Sequence, residues 1–327
     1  MKRLIKKTWM ASLLAVLILT VFGLALAENK SPMFSRQVPG GLFAVVDNTQ
    51  TTGNIWFVDS GSANASDAAG YGQNPDAPFA TIDYAIGNCT ASNGDWIMVM
   101  PGHAESVSSA AYINADVAGV RIIGLGTGRN RPVLTWTAAA GEIKVNAADV
   151  TFENMVFNLT RTGGVRGGAT LYSSATDTVF KDIEWVIPSA DTALYLSGGT
   201  RTVIDGNTFR GSVATTSGVT QAVIYLGGGV NDVKIVNSTI AGYNLTAGTG
   251  LIQAASSRVS GFFLYDTDLT QFNTGASCWV FSTVGLSSNV SIKNVATHYN
   301  AGALLTAGGT VYNIWHALSG PPGANNQ

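Results

Sequence analysis

Charge is scarce in this 327-residue chain, where only 12% of residues are Asp, Glu, Lys or Arg. Eighteen basic side chains stand against 20 acidic ones. A phosphate-binding face needs clustered cations, so this balance excludes a nucleic-acid-binding role. Histidine occurs three times and cysteine twice, and no Ser- or Cys-centred motif accompanies the histidines. No Asp is followed directly by another Asp. Beyond residue 27 no apolar run approaches the roughly 20 residues that a membrane-spanning helix needs. What fills the chain instead is Gly, Ala, Ser, Thr and Asn, which suits a neutral polar surface.

The first 27 residues read as an export signal. Lys2, Arg3, Lys6 and Lys7 precede an apolar run from Ala11 to Ala27, and Ala25-Leu26-Ala27 is a small-residue cleavage site. An uncleaved anchor is the other reading of this segment. Removing it takes away four of the 18 basic residues and leaves a formal charge of −6. The expectation is an exported protein: secreted, periplasmic or held at the cell surface.

Downstream, one six-residue pattern recurs seven times. The copies are GVRIIG (Gly119–Gly124), DVTFEN (Asp149–Asn154), DTVFKD (Asp177–Asp182), RTVIDG (Arg201–Gly206), DVKIVN (Asp232–Asn237), GFFLYD (Gly261–Asp266) and NVSIKN (Asn289–Asn294). Their starts lie 24 to 31 residues apart. A period in that range marks a solenoid whose coils pack only on their neighbours. The fourth position is always large and apolar. The sixth is always Asn, Asp or Gly, the residues that most readily accept left-handed backbone. Three residues further comes a second apolar residue: Phe157, Trp185, Phe209, Ile240 or Leu269. Two short strands meeting at a tight corner predict an all-β, right-handed parallel β-helix of seven or more coils.

The stretch before the repeats is similar to the entry module of the pectin-lyase-like β-helix superfamily, in secreted and phage-type proteins. The matching residues are Pro78, Phe79, Thr81, Ile82, Ala85, Ile86, Gly94, Asp95, Val99, Pro101 and Gly102. With the repeats, the resemblance covers about residues 55–315. It implies a short helix over the N-terminal end of the stack, where an open strand edge would otherwise pair with other chains. It does not imply a reaction. The Asn-Thr-Asp and Gly-His-Gly runs of the polygalacturonase-like branch are missing. The expected organisation is a signal (1–27), an N-terminal extension (28–54), the entry module with its helix (55–118), the coils (119–316) and a disordered tail (317–327).

Stacking at about 4.8 Å per coil brings repeat position five into a row of Glu153, Lys181 and Asp205. That row is either an acid–base site or an ion-pair ladder fixing register, and its alternating sign favours the ladder. The loops that follow each second apolar residue should line one side of the solenoid. They carry Asn158, Arg161, Arg166, Arg210, Tyr243, Asn244, Gln271, Asn273, His298, Tyr299 and Asn300, a polar strip with aromatics suited to a glycan. Asp59, Asp67 and Asp76, with Asn64 and Asn74, form an oxygen-rich loop on which calcium is possible, although its spacing fits no known calcium loop. His103 and Glu105 could be a proton-transfer pair or a strand-end hydrogen bond. Cys89 and Cys278 are five or six coils apart, too far for a disulfide, and are expected to be free. Two functions remain: a non-enzymatic glycan-binding or surface scaffold, and a lyase or glycoside hydrolase for acidic polysaccharide. The first is favoured. Its expected partner is a polysaccharide or cell-surface glycan, with a homo-oligomer possible, no nucleic acid, and no cofactor unless calcium is one.

Overall fold

A computed structural model describes residues 37–38, 41–42, 51, 53–161, 167–188, 191–211, 222–242, 250–254, 259–272, 277–281, 290–299 and 305–307. The chain divides into two units, Met1–Gln50 and Thr51–Gln327. In the first, Gln37–Val38 pairs antiparallel with Gly41–Leu42. The signal and the tail lie outside the described residues.

The second unit is a parallel β-helix. Its first sheet starts with Ile55–Val58, Trp96–Val99, Arg121–Gly124 and Thr151–Glu153, each strand paired in parallel with the next. The second sheet starts with Ala104–Val107, Val133–Trp136 and Val156–Asn158. The third has eight strands, one per coil, from Ile113–Ala115 to Leu305–Ala307. In the last two described coils a single long strand, Ser260–Gln271 or Val290–Tyr299, runs through the first corner and joins the first two sheets. Parallel crossovers are overwhelmingly right-handed, which is the hand expected for this coil.

The corners fall where the repeat puts them. Asn154, Asp182, Asn237, Asp266 and Asn294 have φ between 48° and 56°, and Gly206 has 66°. Gly124 departs from the pattern, because its φ is not positive. Glycine is needed there for space: a Cβ would lie 2.2 Å from the Asn154 carbonyl oxygen. A second set of left-handed corners opens the same strands, at Gly119, Asp149, Asp177, Arg201, Asp232 and Gly261. Arg201 is the costly member, since it has neither glycine's freedom nor an Asn-type local hydrogen bond. Its guanidinium grips Asp177 at the same corner one coil earlier, with Nε 2.5 Å from Oδ1. That contact holds the Asp177 carboxyl below its ordinary pKa.

Position four and the second apolar position both point inward and stack coil upon coil. Phe152 lies on Phe180 at 5.4 Å with rings 6° from parallel, and Trp185 lies on Phe209 at 5.4 Å and 8°. All four side chains are buried, each contributing about 1.5–3 kcal/mol of transfer free energy. At the N-terminal end the helix Ile82–Gly87 lays Ile82, Ala85 and Ile86 on this core, with Thr81 as its N-cap. The loop before it completes the cover. Phe57 donates to Gly72 O at 2.7 Å, and Phe79 donates to Phe57 O at 2.8 Å. Asp95 pins these pieces together by accepting from Asn54 N and Thr90 N, both at 2.6 Å, and from Asn93 Nδ2 at 2.7 Å. Burial alone would raise its pKa, but those donors outweigh it and hold the carboxyl below the ordinary value.

Two inward positions look poorly matched to their surroundings. Thr178 and Thr202 occupy repeat position two, where the flanking coils carry Val150 and Val233, and all four are fully buried. Neither threonine hydroxyl has a hydrogen-bond partner. Replacing both by Val should raise stability by about 1 kcal/mol per site, read as a higher denaturation midpoint at unchanged m-value. Conversely, Asp95→Ala strands three donors and should cost about 3 kcal/mol in the same measurement.

Candidate functional site

Strand alternation places repeat positions three and five on the outer side of the first sheet. Glu153 pairs in register with Lys181, and Lys181 with Asp205. The chemistry of the row is unequal. Glu153 is clamped by Lys181 Nζ at 3.0 Å and by the guanidinium of Arg121, which reaches across from position three two coils away from Lys181. Asp205 instead accepts from the amide of the corner residue Asn237 at 2.8 Å. Burial would raise the pKa of Glu153, yet the hydrogen bonds from Arg121 and Lys181 carry it below the ordinary value. Its hydrogen bond in turn raises the pKa of Lys181. A carboxylate so held is a poor base, and an ammonium so held is a poor acid.

Further along the same face lies a group that the row of fifth positions only half reveals. Position three contributes Lys234 and Phe263 in adjacent coils, and position five contributes Tyr265 and Lys293. The Phe263 and Tyr265 rings are 6.2 Å apart, and Lys293 Nζ stands 5.5 Å from the centre of the Tyr265 ring. Both aromatics are half-buried and both lysines exposed. Reading positions three and five together would have found the four residues from sequence, because both face outward on one strand.

The expected loop strip divides. Arg161 is not a surface residue. Its side chain is 1% exposed, bound to an equally buried Asp191 and to the Gly141 carbonyl. Burial pushes the Asp191 carboxyl up, against the pull of Arg161. Gln271 is buried as well. Both expectations of glycan contact at these two residues are corrected by their position inside the coil. Asn158 is half-buried at the end of its strand. Arg210 is exposed and binds Glu184 at 2.8 Å, while Arg131 holds the other oxygen of that carboxylate. Arg166, Tyr243, Asn244, Asn273 and Asn300 lie outside the described residues. His298 and Tyr299 fall in Val290–Tyr299, whose backbone alone is described there.

At the N-terminal end, Asp59, Asp67 and Asp76 do not gather. Asp59 turns its own loop through Gly61 N. Asp67 accepts from Ala80 N, Thr81 N and Thr81 Oγ1. Asp76 donates its backbone N–H to Asn74 Oδ1. Among the described residues no three Asp, Glu, His or Cys side chains form a metal-holding group. His103 and Glu105 are buried and in contact, Nε2 to Oε2, at 3.0 Å. His103 Nδ1 accepts from Ser60 N, which leaves Nε2 to donate to Glu105. The pair thus spans the Ser60 turn, strand Ala104–Val107 and the helix, where Ile82 N donates to Glu105. Cys89 carries a free thiol, its pKa pushed up to about 12 by burial and then by the charge of Asp95. The side chain of Cys278 lies outside the description.

No family model and no curated protein matches the chain. Among solved structures, a pectin methylesterase variant in complex with a hexasaccharide is 16% identical, covering 81% of this chain and 93% of that one at a TM-score of 0.39. A rhamnogalacturonan lyase is 14% identical over 76% of this chain and 69% of its own, at 0.45. The pectin methylesterase from Erwinia chrysanthemi is 16% identical over 80% and 92%, at 0.35. These likenesses concern fold alone. Stacked parallel sheets and repeating corners give the chain a parallel β-helix architecture.

A lowered carboxylate pKa stabilises the fold above the unfolded-state value and loses that contribution as pH falls through the folded one. The Glu153 contribution should therefore be complete at neutral pH and fade once pH drops below the ordinary glutamate value of 4.5. Glu153→Gln should flatten that part of the stability–pH curve. Lys181→Ala should cost about 0.5 kcal/mol at neutral pH, since the lysine is partly solvent-screened.

Proposed function

We propose that the protein is an exported, non-enzymatic β-helix scaffold that binds acidic polysaccharide. The observation that carries this reading is the state of the outward carboxylates. Glu153 and Glu184 are each clamped between two cationic side chains, so neither stands ready as a general acid or base. The binding surface is the strip of Lys234, Phe263, Tyr265 and Lys293. Aromatic faces stack on sugar rings, and the lysines supply cations for uronate carboxylates. Export follows from the N-terminal signal read in the sequence. No helix among the described residues is long and apolar enough to cross a membrane.

The test is incubation with a panel of acidic and neutral polysaccharides, with and without calcium. The expected outcome is binding to acidic chains with neither new reducing ends nor the ultraviolet absorbance of an unsaturated uronate. Either product would establish the lyase or hydrolase reading instead. Tyr265→Ala combined with Lys293→Ala should weaken binding about tenfold, equivalent to ~1.4 kcal/mol, while leaving the far-ultraviolet circular dichroism unchanged.

A further inference from the structure

His103 is fully buried at the N-terminal end of the stack, and both of its ring nitrogens are engaged. Nδ1 accepts from Ser60 N at 3.0 Å, and Nε2 donates to Glu105 Oε2 at 3.0 Å. An imidazole that accepts at one nitrogen and donates at the other is neutral. Ser60 belongs to the turn after strand Ile55–Val58 and is exposed. Its hydroxyl donates to Ala104 O at 2.8 Å and accepts from Ala104 N at 3.0 Å. Ala104 lies in the strand that ends the second sheet, so these two bonds satisfy an edge that no further described strand pairs. The turn thus covers a sheet edge, and His103 holds the turn.

A proton at Nδ1 turns this acceptor into a donor that meets the Ser60 N–H head on. The contact from Nε2 to Glu105 survives protonation, so the break falls on the Ser60 side. The titratable groups around the pair are acids. Glu105 shares its strand, Asp83 lies in the first helical turn, Asp67 in the loop before the helix and Asp59 next to Ser60. Tyr112 and Asp116 flank the first strand of the third sheet. Burial above all raises the pKa of Asp83, with the charges of Asp116, Glu105 and Asp67 adding to it. A raised carboxylate pKa means that the closed cap binds that proton better than the open one, so acid tightens the cap through Asp83. The histidine acts with the opposite sign.

We infer that His103 is an acid-released latch on the N-terminal cap: a proton taken up at Nδ1 expels the Ser60 N–H, frees the turn and bares the Ala104 edge. Glu105 is a positioning residue, because accepting from Nε2 fixes the tautomer whose Nδ1 can hold Ser60. Opening stops at the turn, since Asp59 N stays bonded to Phe79 O at 2.9 Å. The proton binds the open form, so opening grows with the fraction of released imidazole that is protonated. Going from pH 7.5 to 5.0 multiplies it about thirtyfold for a histidine of ordinary pKa, ~6.5. The latch sits at one end of the solenoid and is independent of glycan binding on the coils.

Amide hydrogen exchange of the full chain, resolved by NMR at pH 7.5 and 5.0 and corrected for the intrinsic rate at each pH, tests this. Protection of the Ser60 and Ala104 amides should fall about thirtyfold, while that of the Val179 amide, bonded to Val150 O inside the stack, stays constant. His103→Asn offers Ser60 N an Oδ1 acceptor and cannot titrate, so its Ser60 protection should not change with pH. Asp83→Asn should keep the full fall. Should His103→Asn not fold, the parent protein decides: the His103 ring C–H resonance must titrate over the same pH range in which Ser60 loses protection. Unchanged Ser60 protection at pH 5.0 would overturn the latch. So would an equal fall in His103→Asn, or rising protection, which would mean that the carboxylates govern the cap.

Discussion

Five successive coils, from Asp149 to Asp266, turn twice through left-handed backbone, once at repeat position one and once at position six. Left-handed residues cannot slide along the chain, because only Gly, Asn and Asp take that conformation cheaply. Their spacing therefore fixes where each strand starts and stops, and hence its register with the strand above. The inward stacks of Phe152 on Phe180 and Trp185 on Phe209 depend on that register. A one-residue slip would send each ring to solvent. The corner amides also bond along the solenoid, Asn237 to the position-five Asp205 and Asn294 to the corner residue Asp266, at 2.8 and 2.9 Å.

Charge is used sparingly and in two distinct ways. On the coil faces each clamped carboxylate meets cations from other coils, as Glu153 does with Arg121 and Lys181 and Glu184 with Arg131 and Arg210. Such pairs are individually weak, but they read the register from outside just as the aromatics do from inside. At the N-terminal cap carboxylates bond backbone N–H groups instead. Asp95, Asp67, Asp83 and Glu105 accept from the loop, helix and edge-strand amides that no further coil can satisfy. The first use neutralises charge and the second accumulates it, and the one unpartnered buried carboxylate oxygen among the described residues, Glu105 Oε1, lies at the cap.

Much of the fold was legible because the repeat is a direct imprint of backbone geometry. Position six announced its corner in every copy but Gly124, where close approach to Asn154 replaces the left-handed turn. Position one carried the other corner unnoticed, since Arg201 and Gly119 share no composition with the Asp residues around them. The site was harder. Asn158 and Arg161 look alike as loop polars, and only packing reveals that Arg161 turns inward to Asp191. Glu153 and Asp205 look like members of one row, yet a guanidinium from position three takes the first and a corner amide takes the second. Long side chains choose partners among several within reach, and sequence spacing does not rank those choices.

The central claim is that the charged row holds the coils in register while the aromatic and lysine strip beyond it meets the ligand. A crystal structure of the protein with an acidic oligosaccharide tests this most directly. Sugar density, intact, over Phe263 and Tyr265 and between Lys234 and Lys293 is the predicted result. Density seated against Glu153 and Lys181 with the Arg121 contact broken, or a cleaved chain there, would contradict it.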